Sequence, residues 1–329
     1  MPPNLLLPLV SVIVPVRNEE HLIAQCLRSL LDQDYPKDRL EVLVVDNDST
    51  DRSRKIIRQF PVQYLFEKKK GASAARNAGA RAARGDLLAF TDSDCVVPSH
   101  WVSRLVSALN EDSVDAAGGD TPVNSQGSLI GDYLISRGHY SQKEFFSDAS
   151  SSSPWLITGN MIVRRSTFQS IGGFEETLLP GEDMDLSWRI VLSGGRLKYL
   201  PDLKTLGQRV YSLADFYASN FCSGRVAFLL SQRYKFFFLK ENGGFFYSLG
   251  KTFLSKFFKL EDRFRHLFRK NGLSFLKKVF YLFLMCSGHL IFLSGKWASQ
   301  VHHERLRKPL PVPILLPFTF VGCEDKIFA

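Results

Sequence analysis

The stretch Gly85–Trp101 (GDLLAFTDSDCVVPSHW) most constrains what this chain can fold into. Its apolar run Leu87–Phe90 predicts a short buried strand that ends at two aspartates, Asp92 and Asp94. In open α/β sheets ligands bind at the carboxyl ends of strands, and alternate carboxylates on a turn suit one hard divalent cation. We therefore predict a metal and diphosphate site at these aspartates. An isolated D-x-D is also a common turn sequence, so the rest of the chain must decide.

Three strand and helix pairs precede this stretch. The predicted strands are Leu9–Val16, Leu40–Val45 and Val62–Phe66, and the predicted helices cover Leu22–Leu31, Ile56–Phe60 and Gly71–Ala83. The repeated alternation predicts a doubly wound, mostly parallel sheet with right-handed crossovers. Ser49 or Thr50 is expected to cap the second helix.

A dinucleotide-binding Rossmann domain has the same alternation of strands and helices. It also needs a G-x-G-x-x-G turn after its first strand. The segment that follows the first strand here, PVRNEEH, contains no glycine. We therefore set this alternative aside.

The second half of the sequence is less regular. It begins at Val114–Val123, and it contains a predicted strand at Leu156–Val163 and a short helix from Arg165. A later helix opens with the acidic residues Glu182, Asp183 and Asp185 and closes at Gly194-Gly195. Acidic residues in a first helical turn are explained by the helix dipole alone, so this cluster is not by itself a site.

The five cysteines are scattered and form no C-x-x-C pair. This pattern predicts buried thiols in a reducing compartment rather than a disulfide framework or a zinc site. The N-terminus, MPPNLLLPLV, lacks the basic residues of a signal peptide, so we expect the domain to stay in the cytoplasm.

The last third of the chain, residues 225–329, differs from the rest. Residues 225–308 hold 17 Lys and Arg, 4 Asp and Glu, and 19 aromatic residues. The segment Lys251–Lys270 has the pattern of an interfacial helix or of a helix docked on the domain. The uncharged run Val279–Gly295 reaches about 26 Å as a helix, the lower limit for crossing a bilayer, so it either spans the membrane or lies on it. Basic residues on both sides favour the second arrangement.

Five motifs together resemble those of the family-2 glycosyltransferases with the GT-A fold. In chain order they are VSVIVPVRNEE, VLVVDNDSTD, GASAARNAGARAARGDLLAFTDSDCVVP, TGNMIVRRSTFQSIGGFEE and GEDMDLSWR. Each motif is weak alone, but their order and spacing match the family over residues 9–200. The resemblance implies a Rossmann-like GT-A catalytic domain, which we place at 1–224. The change in composition at Arg225 predicts a helical, membrane-associating extension at 225–329.

The resemblance also implies roles for individual residues. The donor nucleotide is expected to bind at Pro15, Val16, Arg17, Glu19, Asp46, Arg76 and Asp92. Asp92 and Asp94 match the D-x-D carboxylates, which bind Mn²⁺ or Mg²⁺ to neutralise the departing diphosphate. Asp183 matches the general base that takes the acceptor hydroxyl's proton, which implies inversion at the anomeric carbon. The acceptor is expected near Gly159, Asn160, Glu182 and Trp188.

Three features separate this sequence from parts of the family. A metal-ligating histidine found in related enzymes is absent from LKTLGQRVYSL, which removes one of the ligands expected for the metal ion. Arg17 replaces an aromatic residue in the nucleobase loop. No Q-x-x-R-W sequence occurs, so we expect single-sugar transfer rather than processive synthesis.

We expect an inverting glycosyltransferase that acts on a glycan or lipid-linked acceptor in cell-surface polysaccharide synthesis, at the cytoplasmic face of the membrane. A polyprenyl-phosphate acceptor and a non-catalytic nucleotide-sugar or glycan-binding module on the same fold are the alternatives. Nucleic-acid binding by the basic region is not expected, because its aromatic residues follow helical apolar stripes rather than a sheet platform.

Overall fold

The computed structural model describes residues 7–111, 113–136, 141–146, 154–178 and 180–234, together with residues 287, 290, 291, 293 and 294. The chain divides into two compact units after Val210. The boundary expected from the sequence, after residue 224, falls inside a helix of the second unit, α9 (Leu213–Arg233).

The first unit alternates strands and helices as the sequence predicts. Its strands are β1 (Val10–Val16), β2 (Leu40–Asp46), β3 (Gln63–Phe66), β4 (Leu87–Phe90), β5 (Cys95–Val96), β6 (Val114–Asp120), β7 (Met161–Arg164), β8 (Arg196–Lys204) and β9 (Leu206–Gly207). Its helices are α1 (Ile23–Leu31), α2 (Ser53–Ile57), α3 (Ala72–Ala82), α4 (Trp101–Leu109), α5 (Leu129–Ser136), α6 (Lys143–Phe146), α7 (Arg165–Ser170) and α8 (Glu182–Leu192).

Seven strands form one mixed sheet in the order β3-β2-β1-β4-β7-β6-β8. The neighbours β3, β2, β1 and β4 are parallel, as are β6 and β8, whereas β7 runs antiparallel to both β4 and β6. The expected mostly parallel sheet is therefore confirmed. The predicted strand Leu156–Val163 is corrected: a 3₁₀ turn occupies Thr158–Asn160, and the strand begins only at Met161.

The sheet is covered on both faces, which explains why its central strands are apolar throughout. Every residue of β1 is buried. Val12 and Val14 belong to a core cluster that includes Trp101 of α4, whereas Ile13 belongs to a second cluster that includes Leu186 of α8. This alternation is the period of two expected for a strand.

Helix α3 lies very close to β1 because its residues are small. A Cβ atom built on Gly79 would lie 2.5 Å from the Cγ2 atom of Ile13. The absence of a side chain at Gly79 therefore lets α3 pack directly against β1. This contact helps to position α3 relative to the carboxyl end of the sheet.

One local prediction is wrong and a second holds only in part. Helix α2 begins at Ser53 with no capping side chain at the preceding residue, and the Ser49 hydroxyl instead accepts the Asn18 amide at 3.1 Å. The prediction of buried thiols is confirmed for Cys26 and Cys95, but Cys222 is disulfide-bonded. Every cysteine that could pair with Cys222 lies far from it in the sequence, so the spacing of neighbouring cysteines could not predict this bond.

Helix α9 begins with a capping box in which Ser212 and Asp215 satisfy each other's backbone amides. Among the residues that the structure describes, no helix has both the length and the apolar composition needed to cross a membrane. The predicted interfacial helix at Lys251–Lys270 and most of the run Val279–Gly295 lie outside the described residues.

Candidate active site

The carboxyl ends of β1, β2 and β4 meet at one edge of the sheet. Because β7 is antiparallel, its amino end lies at the same edge, where Phe90 pairs with Met161. The Thr91 hydroxyl donates to the Gly159 carbonyl at 2.9 Å and joins the loop after β4 to the turn before β7. Residues from both halves of the sequence are brought together here.

Asp92 and Asp94 lie on the loop after β4 as predicted. Single ligand atoms of Asp92, Asp94 and Cys95 all lie within 4.8 Å of one another. Burial, and then the charge of Asp94, raises the pKa of the Cys95 thiol well above its usual value, so it stays protonated and is a poor ligand. The two carboxylates are the hard oxygen donors that Mg²⁺ and Mn²⁺ prefer, so the residues present fit a divalent cation.

Arg76 joins the two acidic clusters of the sequence. Its Nη2 atom donates to Asp92 Oδ1 at 2.6 Å, and its Nη1 atom donates to Glu182 Oε1 at 2.9 Å. The guanidinium also lies over the ring of Phe174, 5.6 Å from the ring centre. Its side chain is 5 % exposed. Arg76 is thus a buried bridge between Asp92 and Glu182, and its expected contact with a nucleobase stays a prediction.

Asp183 follows Glu182 in the first turn of α8 and is partly open to solvent. Its Oδ1 atom accepts the Met184 amide at 2.8 Å. Burial, followed by the charge of Glu182, raises the pKa of Asp183 to about 7, although Arg76 opposes this shift. A carboxylate with such a pKa can accept a proton near neutral pH, which is what a general base must do.

Gly159 packs directly against the D-x-D loop. A Cβ atom at this position would lie 3.0 Å from Thr121 Oγ1 and 3.2 Å from Asp92 Oδ2. A larger residue would therefore push on the Asp92 carboxylate. Gly159 therefore leaves room for the Asp92 carboxylate, and its expected place near the acceptor stays a prediction.

Asn160 and Trp188 lie in the interior rather than on the surface of the cleft. Asn160 is fully buried, and its amide donates to the carbonyls of Asp120 and Leu203 and accepts the Trp101 indole N–H at 2.8 Å. Trp188 is also buried, at 2 % exposure. Both contribute to packing in the interior, and their expected contact with the acceptor stays a prediction. Glu182 is buried and paired with Arg76.

Asp46 lies at the end of β2 with a fully buried carboxylate. Its Oδ2 atom accepts the Tyr64 hydroxyl at 2.8 Å and Arg54 Nε at 3.1 Å, while its Oδ1 atom accepts the Ser49 amide at 3.0 Å. It was expected to bind a nucleobase. Its carboxylate fixes the loop that follows β2, and its predicted contact with a nucleobase stays a prediction.

The loops after β1 and β2 are tied to each other. Asn18, whose φ is positive, accepts the Thr50 amide at 2.8 Å, and Glu20 accepts the Arg52 amide at 2.9 Å. The Ser53 hydroxyl accepts the Glu19 amide at 2.8 Å. These bonds hold the predicted nucleotide loop beside the end of β1, where Pro15 and Val16 are buried and Arg17 is half-buried.

Arg209 is a site residue that the sequence analysis missed. It follows β9, which pairs with β5 next to the D-x-D loop. Its guanidinium forms ion pairs with Glu19 and, at 3.4 Å, with Asp94 Oδ2. Burial raises the pKa of Glu19 to about 7 even though Arg209 opposes the shift. The signal was an arginine in the very segment where the expected histidine is missing.

Two further polar residues position α8. Asp185 is fully buried and pairs with Arg189 at 2.7 Å, and Arg189 also donates to the carbonyls of Ile171 and Gly173. Phe174 follows Gly173 in the chain. The Asn77 side chain donates to the Phe174 carbonyl and accepts the Phe174 amide. The acidic end of α8 is therefore fixed against α3.

Comparison with known proteins decides the family. The family model described as "Glycosyl transferase family 2" matches residues 11–172. This range runs from the second residue of β1 past the end of β7 and includes both D-x-D aspartates. The chain belongs to glycosyl transferase family 2. Several curated relatives carry glycosyltransferase names, as this family membership leads one to expect.

Two relatives show the extent of the similarity to other family-2 glycosyltransferases. Glycosyltransferase AglE of Haloferax volcanii is 34% identical over 204 residues, which is 60% of this chain and 66% of that protein. The pre-mycofactocin glycosyltransferase of Mycobacterium tuberculosis is 28% identical over 237 residues, which is 68% of this chain and 48% of that protein. The matched region therefore spans between about half and two thirds of these relatives.

Solved structures share the fold of this family-2 chain. A mannosyltransferase from Pyrobaculum calidifontis, solved with GDP-mannose and Mn²⁺, aligns with a TM-score of 0.54 and 21% identity over 94% of this chain and 77% of its own. Residues 1–349 of Staphylococcus aureus TarS align with a TM-score of 0.51 and 19% identity over 89% of this chain and 92% of that one. The α/β fold of the GT-A type is thereby shown.

Proposed function

We propose that this protein transfers a single sugar from a nucleoside-diphosphate sugar to an acceptor hydroxyl, with inversion at the anomeric carbon. The observation that carries the proposal is the Arg76 bridge, which joins Asp92 of the D-x-D loop to Glu182, the neighbour of Asp183. A group that can hold a diphosphate and a group that can accept a proton thus belong to one connected cluster of charges.

Asp183 acts as the general base in this mechanism. Its carboxylate takes the proton of the acceptor hydroxyl while the oxygen forms a bond to the anomeric carbon. The bond from that carbon to the diphosphate breaks on the opposite face, and the nucleoside diphosphate leaves with the electron pair. The raised pKa of Asp183, about 7, makes it a stronger base than an ordinary aspartate.

Asp92 and Asp94 would hold a divalent cation, Mn²⁺ or Mg²⁺. A bound cation supplies charge neutralisation to the departing diphosphate. Arg76 keeps Asp92 in place from the side of α3, and Gly159 leaves room for the Asp92 carboxylate. The loop at Pro15, Val16, Arg17 and Glu19 remains the proposed place for the nucleotide, because it stands at the same edge of the sheet.

The test is sugar transfer by purified protein across a panel of UDP-, GDP- and dTDP-sugars with Mn²⁺. A thermal-shift screen of the free nucleoside diphosphates with Mn²⁺ first selects the donor class. Asp183→Asn should lower transfer at least roughly a thousandfold while nucleotide affinity stays within about twofold, because the proton acceptor alone is lost. Asp86→Asn is the matched control, because Asp86 is exposed and precedes β4 at the opposite end of the strand.

Full transfer by Asp183→Asn would reject the assignment of the base. Nucleotide binding with no turnover on any donor would favour the alternative of a non-catalytic nucleotide-sugar or glycan-binding module. Acceptor panels should include a polyprenyl phosphate, whose phosphate oxygen replaces the hydroxyl as the attacking group in the second enzymatic alternative.

We also propose that the basic, aromatic region 225–329 attaches the protein to the cytoplasmic face of a membrane, where a lipid-linked or cell-surface acceptor would be available. Its composition supports this, since Lys and Arg favour anionic lipid and Phe favours the interface. Flotation of the full chain with anionic vesicles, but not with neutral ones or at high salt, is the expected result.

A further inference from the structure

The position of Arg209 is determined by two contacts with the D-x-D loop. Strand β9 pairs antiparallel with β5, with Gly207 opposite Cys95. The Gln208 amide then donates to the Asp94 carbonyl at 2.8 Å. The residue that follows, Arg209, is therefore held at Asp94 by backbone bonds and not only by the attraction of its charge.

The side chain of Arg209 lies between two acidic residues. Its Nε atom is 3.4 Å from Asp94 Oδ2, and its Nη2 atom pairs with Glu19. Arg209 and Asp94 are each 21 % exposed, so water screens their attraction only in part. Glu19 is itself fixed, because the Ser53 hydroxyl accepts its amide.

We propose that Arg209 is a tethered cation that competes with the divalent metal ion for Asp94. The inference rests on the proposed metal site at Asp92 and Asp94. A divalent cation needs a carboxylate oxygen at about 2.1 Å, and a guanidinium on the same carboxylate both shares that oxygen and repels the ion. Metal binding therefore moves the guanidinium away from Asp94, while Glu19 keeps it in the cleft.

The inference predicts a metal affinity weaker than two neighbouring carboxylates alone would give. Removing the guanidinium should tighten Mn²⁺ binding roughly five- to tenfold, the range expected when one partly exposed like charge next to a divalent ion is removed. Lysine keeps the charge but lacks the planar fork that lets Arg209 contact both acids. The Mn²⁺ affinity of Arg209→Lys should therefore lie between those of the wild type and Arg209→Gln.

The experiment measures Mn²⁺ binding to the full chain without any donor, by calorimetry and by the electron paramagnetic resonance signal of free Mn²⁺. The variants are Arg209→Gln, Arg209→Lys and, as the matched control, Arg84→Gln. Arg84 also pairs with a glutamate, but its partner Glu41 lies at the start of strand β2, at the end of the strand away from the acidic loop. The control removes the same charge and should leave the affinity within about twofold.

Tighter binding by Arg209→Gln, together with an unchanged Arg84→Gln, supports the inference. Unchanged or weaker binding by Arg209→Gln, while the wild type still binds Mn²⁺ through Asp94, overturns it and leaves the proposed function standing. Weaker Mn²⁺ binding by Asp94→Asn than by the wild type shows that binding depends on Asp94. If none of the proteins binds Mn²⁺, the metal site and the inference are both rejected. Should Arg209→Gln not fold, as judged by circular dichroism, an affinity gain of at least about twofold in Arg209→Lys decides the question.

Discussion

Replacing Arg76 by methionine tests the central charge arrangement of the site. Methionine keeps much of the side-chain volume and the contact with Phe174, but it removes the charge that Asp92 and Glu182 share. Both carboxylates then lack their cation, and Glu182 cannot turn to water because it is only 11 % exposed. The folded state of the variant must hold acidic groups close together with no counter-charge.

The expected loss follows from the burial of each partner. Removing one member of a buried ion pair costs about 3–5 kcal/mol. Asp92 is 37 % exposed, so water screens its part of the interaction, and the lower end of that range applies. We therefore expect the free energy of unfolding to fall by about 3 kcal/mol at pH 8.

The loss should be smaller at pH 5, and the sign follows from Asp183. Its folded pKa of about 7 lies above its usual value, so the folded protein binds more protons than the unfolded chain between these two values, and stability falls as pH rises through this window. The charge of Arg76 lowers the pKa of Asp183, so this pKa should be higher in Arg76→Met than in the wild type. The variant therefore loses more stability at pH 8, where Asp183 must be ionised. At pH 5 Asp183 is protonated in both proteins, and we expect a loss of about 2 kcal/mol.

Urea unfolding followed by tryptophan fluorescence measures this change. Trp101, Trp155 and Trp188 all lie in the first unit, and they are three of the four tryptophans, so the signal reports mainly on it. Arg84→Met is the control and should cost no more than about 0.5 kcal/mol, since the Arg84 side chain is exposed and Glu41 keeps its hydrogen bonds from the Ser11 hydroxyl and the backbone amide of residue 84. A loss below about 1 kcal/mol, or one that is as large at pH 5 as at pH 8, would refute the bridge.

Two further predictions concern single residues of the site. Sugar transfer should rise with pH through about 7 and then level off, because only the ionised form of Asp183 accepts a proton; a pH profile of kcat that is flat from pH 5.5 to 8.5 contradicts this. Asn160→Ala should lower the free energy of unfolding by about 2–4 kcal/mol, since it leaves the Trp101 indole N–H and two carbonyls unsatisfied in the interior. A variant of wild-type stability with a raised acceptor KM would instead restore Asn160 to the acceptor site.

The central strands could be predicted from sequence because the apolar residues that favour a strand locally are also those that the covered sheet must bury. Val10–Val16 is apolar throughout and is buried on both faces of the sheet. The direction of β7 could not be predicted in this way. The apolar residues of β7, Met161–Val163, read the same in both directions, and the pairing of Met161 with Phe90 joins residues about 70 positions apart in the chain.

The residue types of the site were predictable, but several of their partners were not. Asp92, Asp94 and Asp183 stand where the motifs placed them, at strand or helix ends of one edge. Arg76 and Arg209 take partners 106 and 190 residues away in the chain. Such pairings are set by which carboxylate the fold leaves closest to a buried guanidinium, and no local pattern records that distance.

The acidic start of α8 shows how three similar side chains acquire different chemistry. Asp185 is fully buried and paired with Arg189, and Glu182 is paired with Arg76. Asp183 forms no ion pair with any residue that the structure describes, and its pKa rises to about 7. Arg76 and Arg189 thus neutralise Glu182 and Asp185. Asp183 is the acidic residue of this turn that has no arginine partner among the described residues, and it is partly exposed. The sequence GEDMD therefore separates two structural carboxylates from one that is available to accept a proton.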